Sequence, residues 1–83
     1  MESVEEQVKR LVIDTLKIKE SDYREDLEAG DIPEWDSVGH VTLLMAAEEK
    51  FEITFDVNDS IDVASVEDLI DMVGKYLAMK TPA

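Results

Sequence analysis

The sequence predicts an all-α fold, a small antiparallel bundle of three main helices plus one short helix. Apolar residues recur at three- and four-residue spacing in three separate stretches. Two of those stretches open on a serine followed three residues later by an acid, the pattern of a capping box. Only one short run, Phe51-Glu52-Ile53-Thr54-Phe55, alternates like a strand, and no second run exists to pair with it. With 83 residues, 45% of them hydrophobic, the chain can fill one core and has no room for a second domain, so 1–83 reads as a single domain whose last residues, 80–83, fray.

The first helix begins at Ser3-Val4-Glu5-Glu6 and runs to about Lys17, with Val4, Val8, Leu11, Val12 and Leu16 on one side. From Glu20 to Trp35 the pattern dissolves, and Gly30 with Pro33 excludes a continuous helix. Tyr23, Leu27, Ile32 and Trp35 are the residues that can anchor this loop. Asp36 can cap a second helix ending near Lys50, with Val38, Val41, Leu44, Met45 and Phe51 as its apolar side. Phe51, Ile53 and Phe55 then plug the core from an extended segment, and Val57 to Ile61 adds a short helical turn. Ser65 opens the last helix, whose stripe is Val66, Leu69, Ile70, Val73, Tyr76 and Leu77, ending near Met79.

Charge narrows the function. Twenty-one acids against 8 bases give a net charge of −13, which opposes nucleic acid and anionic membrane surfaces and favours basic protein partners. Between Glu25 and Asp71 there are 15 acids and one base, Lys50. Without cysteine there is no disulfide, no thiol nucleophile and no cysteine zinc site, so any sulfur chemistry has to come from an attached group. The start of the chain has neither a basic segment nor an apolar run, and no stretch approaches a membrane span; the expected location is the cytoplasm and the expected state a monomer.

The most informative residues are Asp36-Ser37-Val38. A serine at a helix N-terminus sits among free backbone N–H groups at the positive end of the helix dipole, a place suited to a phosphoester rather than to a nucleophile. In an alternative register Ser37 is itself the cap, bonded to the N–H of His40.

Asp36-Ser37-Val38, then 43–53 (LLMAAEEKFEI), then 65–70 (SVEDLI), taken in that order and spacing, resemble the acyl carrier proteins across nearly the whole chain. The resemblance implies a four-helix carrier domain, not an enzyme. It implies that Ser37 accepts a covalent 4′-phosphopantetheine arm from coenzyme A, delivered by a magnesium-using phosphopantetheinyl transferase, with Asp36 as helix cap and transferase contact. It implies further that the arm holds acyl groups as thioesters for ligases, synthases or transferases with basic docking surfaces, in fatty-acid, polyketide or specialised acyl or aminoacyl biosynthesis. Val38, Val41, Glu48 and Glu49 on the second helix are the expected docking residues. Gly39, Thr42 and Lys50 stand where fatty-acid carriers commonly have acids, and Val38 replaces a leucine. Trp35 and Gly39-His40 look more like stand-alone carriers served by an adenylate-forming ligase.

Other readings compete. Ser37 and His40 are helix neighbours, but no oxyanion element accompanies them for hydrolysis; His40 reads as a solvated or docking-face residue and Trp35 as a loop anchor. Asp56, Asn58, Ser60, Asp62 and Glu67 match five positions of a calcium loop, with Ile61 where glycine is required, which leaves a small acidic calcium-binding or protein-interaction module as the alternative function. Met45, Met72 and Met79 read as core filling. Glu48, Glu49, Glu52 and Asp56 read as a docking patch.

Overall fold

A computed structural model describes residues 3–80. Its elements in order are α1 (Val4–Leu16), a 3-10 turn (Glu20–Asp22), α2 (Ser37–Phe51), α3 (Val57–Asp62) and α4 (Val66–Lys80). α1 packs against α2 and α4, which also touch each other. Among the described residues there is no strand, only an isolated antiparallel bridge between Glu28 and Ser65.

The helix starts follow the capping chemistry. Ser3 accepts from the N–H of Glu6 at 3.2 Å, and Ser65 Oγ accepts from the N–H of Asp68 at 3.2 Å. α1 ends with Lys17 in the left-handed region, where the N–H groups of Lys17 and Ile18 both reach the carbonyl of Ile13. Of the expected frayed tail, Lys80 is the last residue of α4 and its Nζ donates to the Phe51 carbonyl at 3.1 Å, closing the end of α2. Residues 81–83 lie outside the described residues.

The core is one cluster: Val8, Leu11, Val12 and Leu16 from α1, Leu43, Ala47 and Phe51 from α2, and Val66, Leu69, Met72 and Val73 from α4. Leu27 and Trp35 seal it from the long loop, with no exposed surface, while Tyr23 and Ile32 pack at its edge. Phe51, Ile53 and Phe55 are buried as expected. The apolar side of α2 is not the expected one. Val38, Val41 and Met45 are 74%, 55% and 62% exposed. At 3.6 residues per turn these three lie on the side of the helix opposite Leu43, Ala47 and Phe51. Since α2 is apolar on both sides, spacing alone does not say which side α1 and α4 cover. Of Met45, Met72 and Met79, only Met72 fills the core.

The calcium loop does not form. Val57–Asp62 is helical, capped by Asp56, whose Oδ1 accepts from the N–H of Asn58 at 2.8 Å. A helix fans alternate side chains around its circumference instead of converging them on an ion. Among the described residues no group of three or more His, Asp or Glu is placed to hold a metal. What fixes α3 is Tyr76, whose hydroxyl donates to Asp59 Oδ2 at 2.6 Å and accepts from the N–H of Asp56 at 2.8 Å. That bond from Tyr76, helped by Lys75, holds the Asp59 carboxyl below its usual range.

Among the described residues Tyr23 is the exception to good pairing: its hydroxyl oxygen is buried and meets no partner there. Burial first, then the charges of Glu25 and Glu6, push its pKa up to about 12. A raised pKa for an acid means that folding favours the protonated form, so stability is retained below pH 10 and falls as pH rises from about 10 to 12. Tyr23→Phe is expected to remove this alkaline loss and to stabilise the protein at neutral pH by up to about 1–3 kcal/mol, the cost of an unsatisfied buried group. Urea unfolding of both proteins across the alkaline range checks it; a less stable Tyr23→Phe would show that the hydroxyl has a partner after all.

Candidate functional site: the start of α2

The chain enters α2 through a tight turn. Gly30, at φ +92°, donates to the Trp35 carbonyl at 2.8 Å, and the Trp35 N–H returns to the carbonyl of Ile32 at 3.1 Å. This places Trp35 in the core and leaves Asp36 extended just before the helix. Asp36, not Ser37, is the cap: its Oδ1 accepts from the N–H of Gly39 at 2.8 Å and its carbonyl accepts from the N–H of His40 at 2.8 Å. The Ser37 side chain is thereby released. Ser37 is exposed as the first residue of a 15-residue helix. Its own N–H and that of Val38 have no acceptor among the described residues, so a phosphate on Ser37 would meet free donors at the positive helix end.

Two residues brace this corner in ways the sequence did not disclose. Trp35 Nε1 donates to His40 Nδ1 at 3.0 Å, with the rings 19° from parallel. His40 is therefore tied to the loop rather than solvated, and its Nδ1 is not open to Ser37. Gly39 has no room for a side chain: a Cβ there would overlap the Glu34 carbonyl oxygen and lie 3.3 Å from both Asp36 Oδ1 and Leu16 Cδ2. Its missing acid is a packing requirement as well as a difference in surface charge.

Beside Ser37 lies an open cleft of about 610 Å³, lined by Ala29 and Gly30, by Trp35, Asp36, Ser37, His40 and Val41, and by Val63 and Ala64. Backbone bonds from Ala29 N–H to the Ala64 carbonyl (2.9 Å) and from Val66 N–H to the Leu27 carbonyl (2.9 Å) join its two far walls. Farther along α2, Glu49 is exposed, whereas Glu48 is half-buried. Glu48 Oε2 accepts from the N–H of Phe55 at 2.8 Å. Of the expected acidic pair, Glu48 is thus engaged in holding the segment after α2, and Glu49 is the one that faces solvent.

No family model matches the chain. Among solved structures, the solution NMR structure of the holo acyl carrier protein from Geobacter metallireducens superposes with a TM-score of 0.82 at 26% identity, over 93% of this chain and 88% of that one. The fold is that of the acyl carrier proteins. It is a carrier's fold rather than a catalyst's, a four-helix bundle. The acyl carrier fold was readable from Asp36-Ser37-Val38 and the two later motifs. The cleft walls at residues 29–30 and 63–64 were not, since nothing local marks two loops that meet through backbone bonds. The Trp35–His40 contact had a usable signal: an indole N–H with no water needs an acceptor, and His40, five residues on, is the nearest ring that can supply one.

Proposed function

We propose that this protein carries acyl or aminoacyl groups on a 4′-phosphopantetheine arm esterified to Ser37, transferred from coenzyme A by a phosphopantetheinyl transferase. The observation that supports it is the exposed Ser37 hydroxyl at the first position of α2, released from capping by Asp36, in a fold shared with a holo acyl carrier protein. The residues fit the group: free N–H donors at the helix start suit its phosphate, and the cleft beside Ser37 has space for the pantetheine chain. When bound, the group supplies the thiol that the cysteine-free chain lacks. The chain's own residues present and orient. Asp36 fixes the helix start and is in place to meet the transferase, and Val38 and Val41 offer an apolar docking stripe on the exposed side of α2. Partners are acyl or aminoacyl ligases, synthases and transferases with basic surfaces, met by a monomer in the cytoplasm. Incubation with coenzyme A, magnesium and a broad-specificity transferase should add the mass of one phosphopantetheine; no addition with several transferases would reject this function.

Electrostatic docking makes a prediction specific to the two glutamates. Glu49→Lys should slow loading by the cognate ligase through association, with weaker salt dependence and an unchanged fold, because an exposed pair is worth only about 0.2–1 kcal/mol but its field steers encounter. Glu48→Gln should instead cost about 1–2 kcal/mol of stability by weakening a charge-assisted bond to Phe55. Stopped-flow loading and urea unfolding separate the two effects. Equal kinetic behaviour of both variants with no loss of stability would contradict the assignment of Glu48 to the Phe55 segment.

A further inference from the structure

We infer that His40 is a positioning residue for the arm: its Nε2–H donates to an amide carbonyl of the Ser37-borne group, holding the arm's first half in the cleft between α2 and residues 63–64. The inference rests on the proposed attachment at Ser37. It starts from the bond at Nδ1. An indole N–H can only donate, so the His40 nitrogen 3.0 Å from Trp35 Nε1 must accept. Neutral His40 then carries its proton on Nε2, and Trp35 fixes both the tautomer and the plane of the ring. His40 lines the same cleft as Ser37, and Nε2 has no partner among the described residues.

The rest of the cleft fits the chemistry of the group. Trp35, Val41, Val63, Ala29 and Ala64 give it apolar walls, suited to a branched alkyl segment near the phosphate. Asp36 also lines it but already uses Oδ1 to cap Gly39. A pocket with apolar walls and few polar groups takes its orientation from those polar groups. His40 is a polar side-chain donor on the helix side of the cleft, one turn beyond Ser37. Trp35 thus acts on the arm through His40.

The chain has one histidine and one tryptophan, so each ring gives a single set of NMR signals. The test compares the apo protein with the protein after phosphopantetheinylation, loading being confirmed first by intact mass. The ring nitrogens of apo His40 should already show the Nε2–H tautomer. On loading, the Nε2–H proton should shift and exchange with water about two- to tenfold more slowly, the range that one net hydrogen bond allows. Two variants separate the roles of the nitrogens. His40→Asn keeps an acceptor at the position of Nδ1 and should preserve the Trp35 indole signal while the arm's signals narrow towards those of a free chain. His40→Gln keeps a donor near Nε2 and should disturb Trp35 while retaining part of the arm's restraint. Failure to load would overturn the carrier reading itself. Loading with unchanged His40 signals, an Nδ1–H tautomer, or an arm equally mobile in wild type and His40→Asn would overturn the positioning role alone.

Discussion

Trp35→Ala is expected to lower unfolding stability by about 3–5 kcal/mol, the range for truncating a fully buried aromatic side chain. Trp35 has no exposed surface, joins the long loop to the core, and donates to His40. A domain of 83 residues has a total stability of about 4–12 kcal/mol. The variant should therefore lose a large fraction of its stability, and its urea midpoint should fall well below that of the wild type. Trp35→Phe separates packing from hydrogen bonding, because it retains most of the bulk and removes the indole donor. It should cost less than Trp35→Ala while still removing the donor that fixes the His40 ring. If Trp35→Ala unfolded like wild type, the loop would not be anchored as described.

Gly39→Ala is expected to destabilise the protein although alanine is the better helix former by about 1 kcal/mol. The new Cβ would overlap the Glu34 carbonyl, a backbone atom that cannot swing aside as a side chain can. Forcing the turn away from α2 should cost about 1–3 kcal/mol and pull Asp36 off its cap, so transferase-catalysed modification should slow as well. Gly74→Ala is the control, since a Cβ there meets nothing within 4 Å inside α4. That change should stabilise by about 1 kcal/mol and leave modification untouched. Opposite signs in thermal unfolding are the expected outcome; a stabilised Gly39→Ala would mean that the turn at Glu34 is not packed against α2. Gly39→Glu, which would restore an acid found in fatty-acid carriers, should fold worse rather than dock better.

Much of the architecture was legible because local chemistry and the fold agree. Ser3, Asp36 and Ser65 cap the helices they were expected to open, their oxygens accepting from backbone N–H groups of the first turn, and Leu27, Trp35, Ile53 and Phe55 are buried where the loops needed anchors. The faces of α2 were not legible, because both sides are apolar and burial is decided by where α1 and α4 lie. The roles of Glu48, Gly39 and His40 were hidden for a related reason. Each depends on a partner, Phe55 N–H, the Glu34 carbonyl or the Trp35 indole, brought close by a turn whose geometry no periodicity encodes. The calcium-loop pattern misled in the other direction: five residues in register mean nothing once 57–62 winds into a helix.

The claim most open to direct contradiction is that Ser37 is the attachment point. The chain has four other serines, Ser3, Ser21, Ser60 and Ser65. Two of them, Ser3 and Ser65, cap helices with their hydroxyls, and Ser60 Oγ donates to the Asp56 carbonyl at 3.1 Å. Peptide mapping by tandem mass spectrometry after treatment with coenzyme A and a transferase distinguishes all five. One phosphopantetheine on the peptide containing Ser37, and none on any peptide of Ser37→Ala with an unchanged circular dichroism spectrum, is the predicted result. A modified Ser37→Ala, or a wild-type adduct located on any other serine, would contradict it.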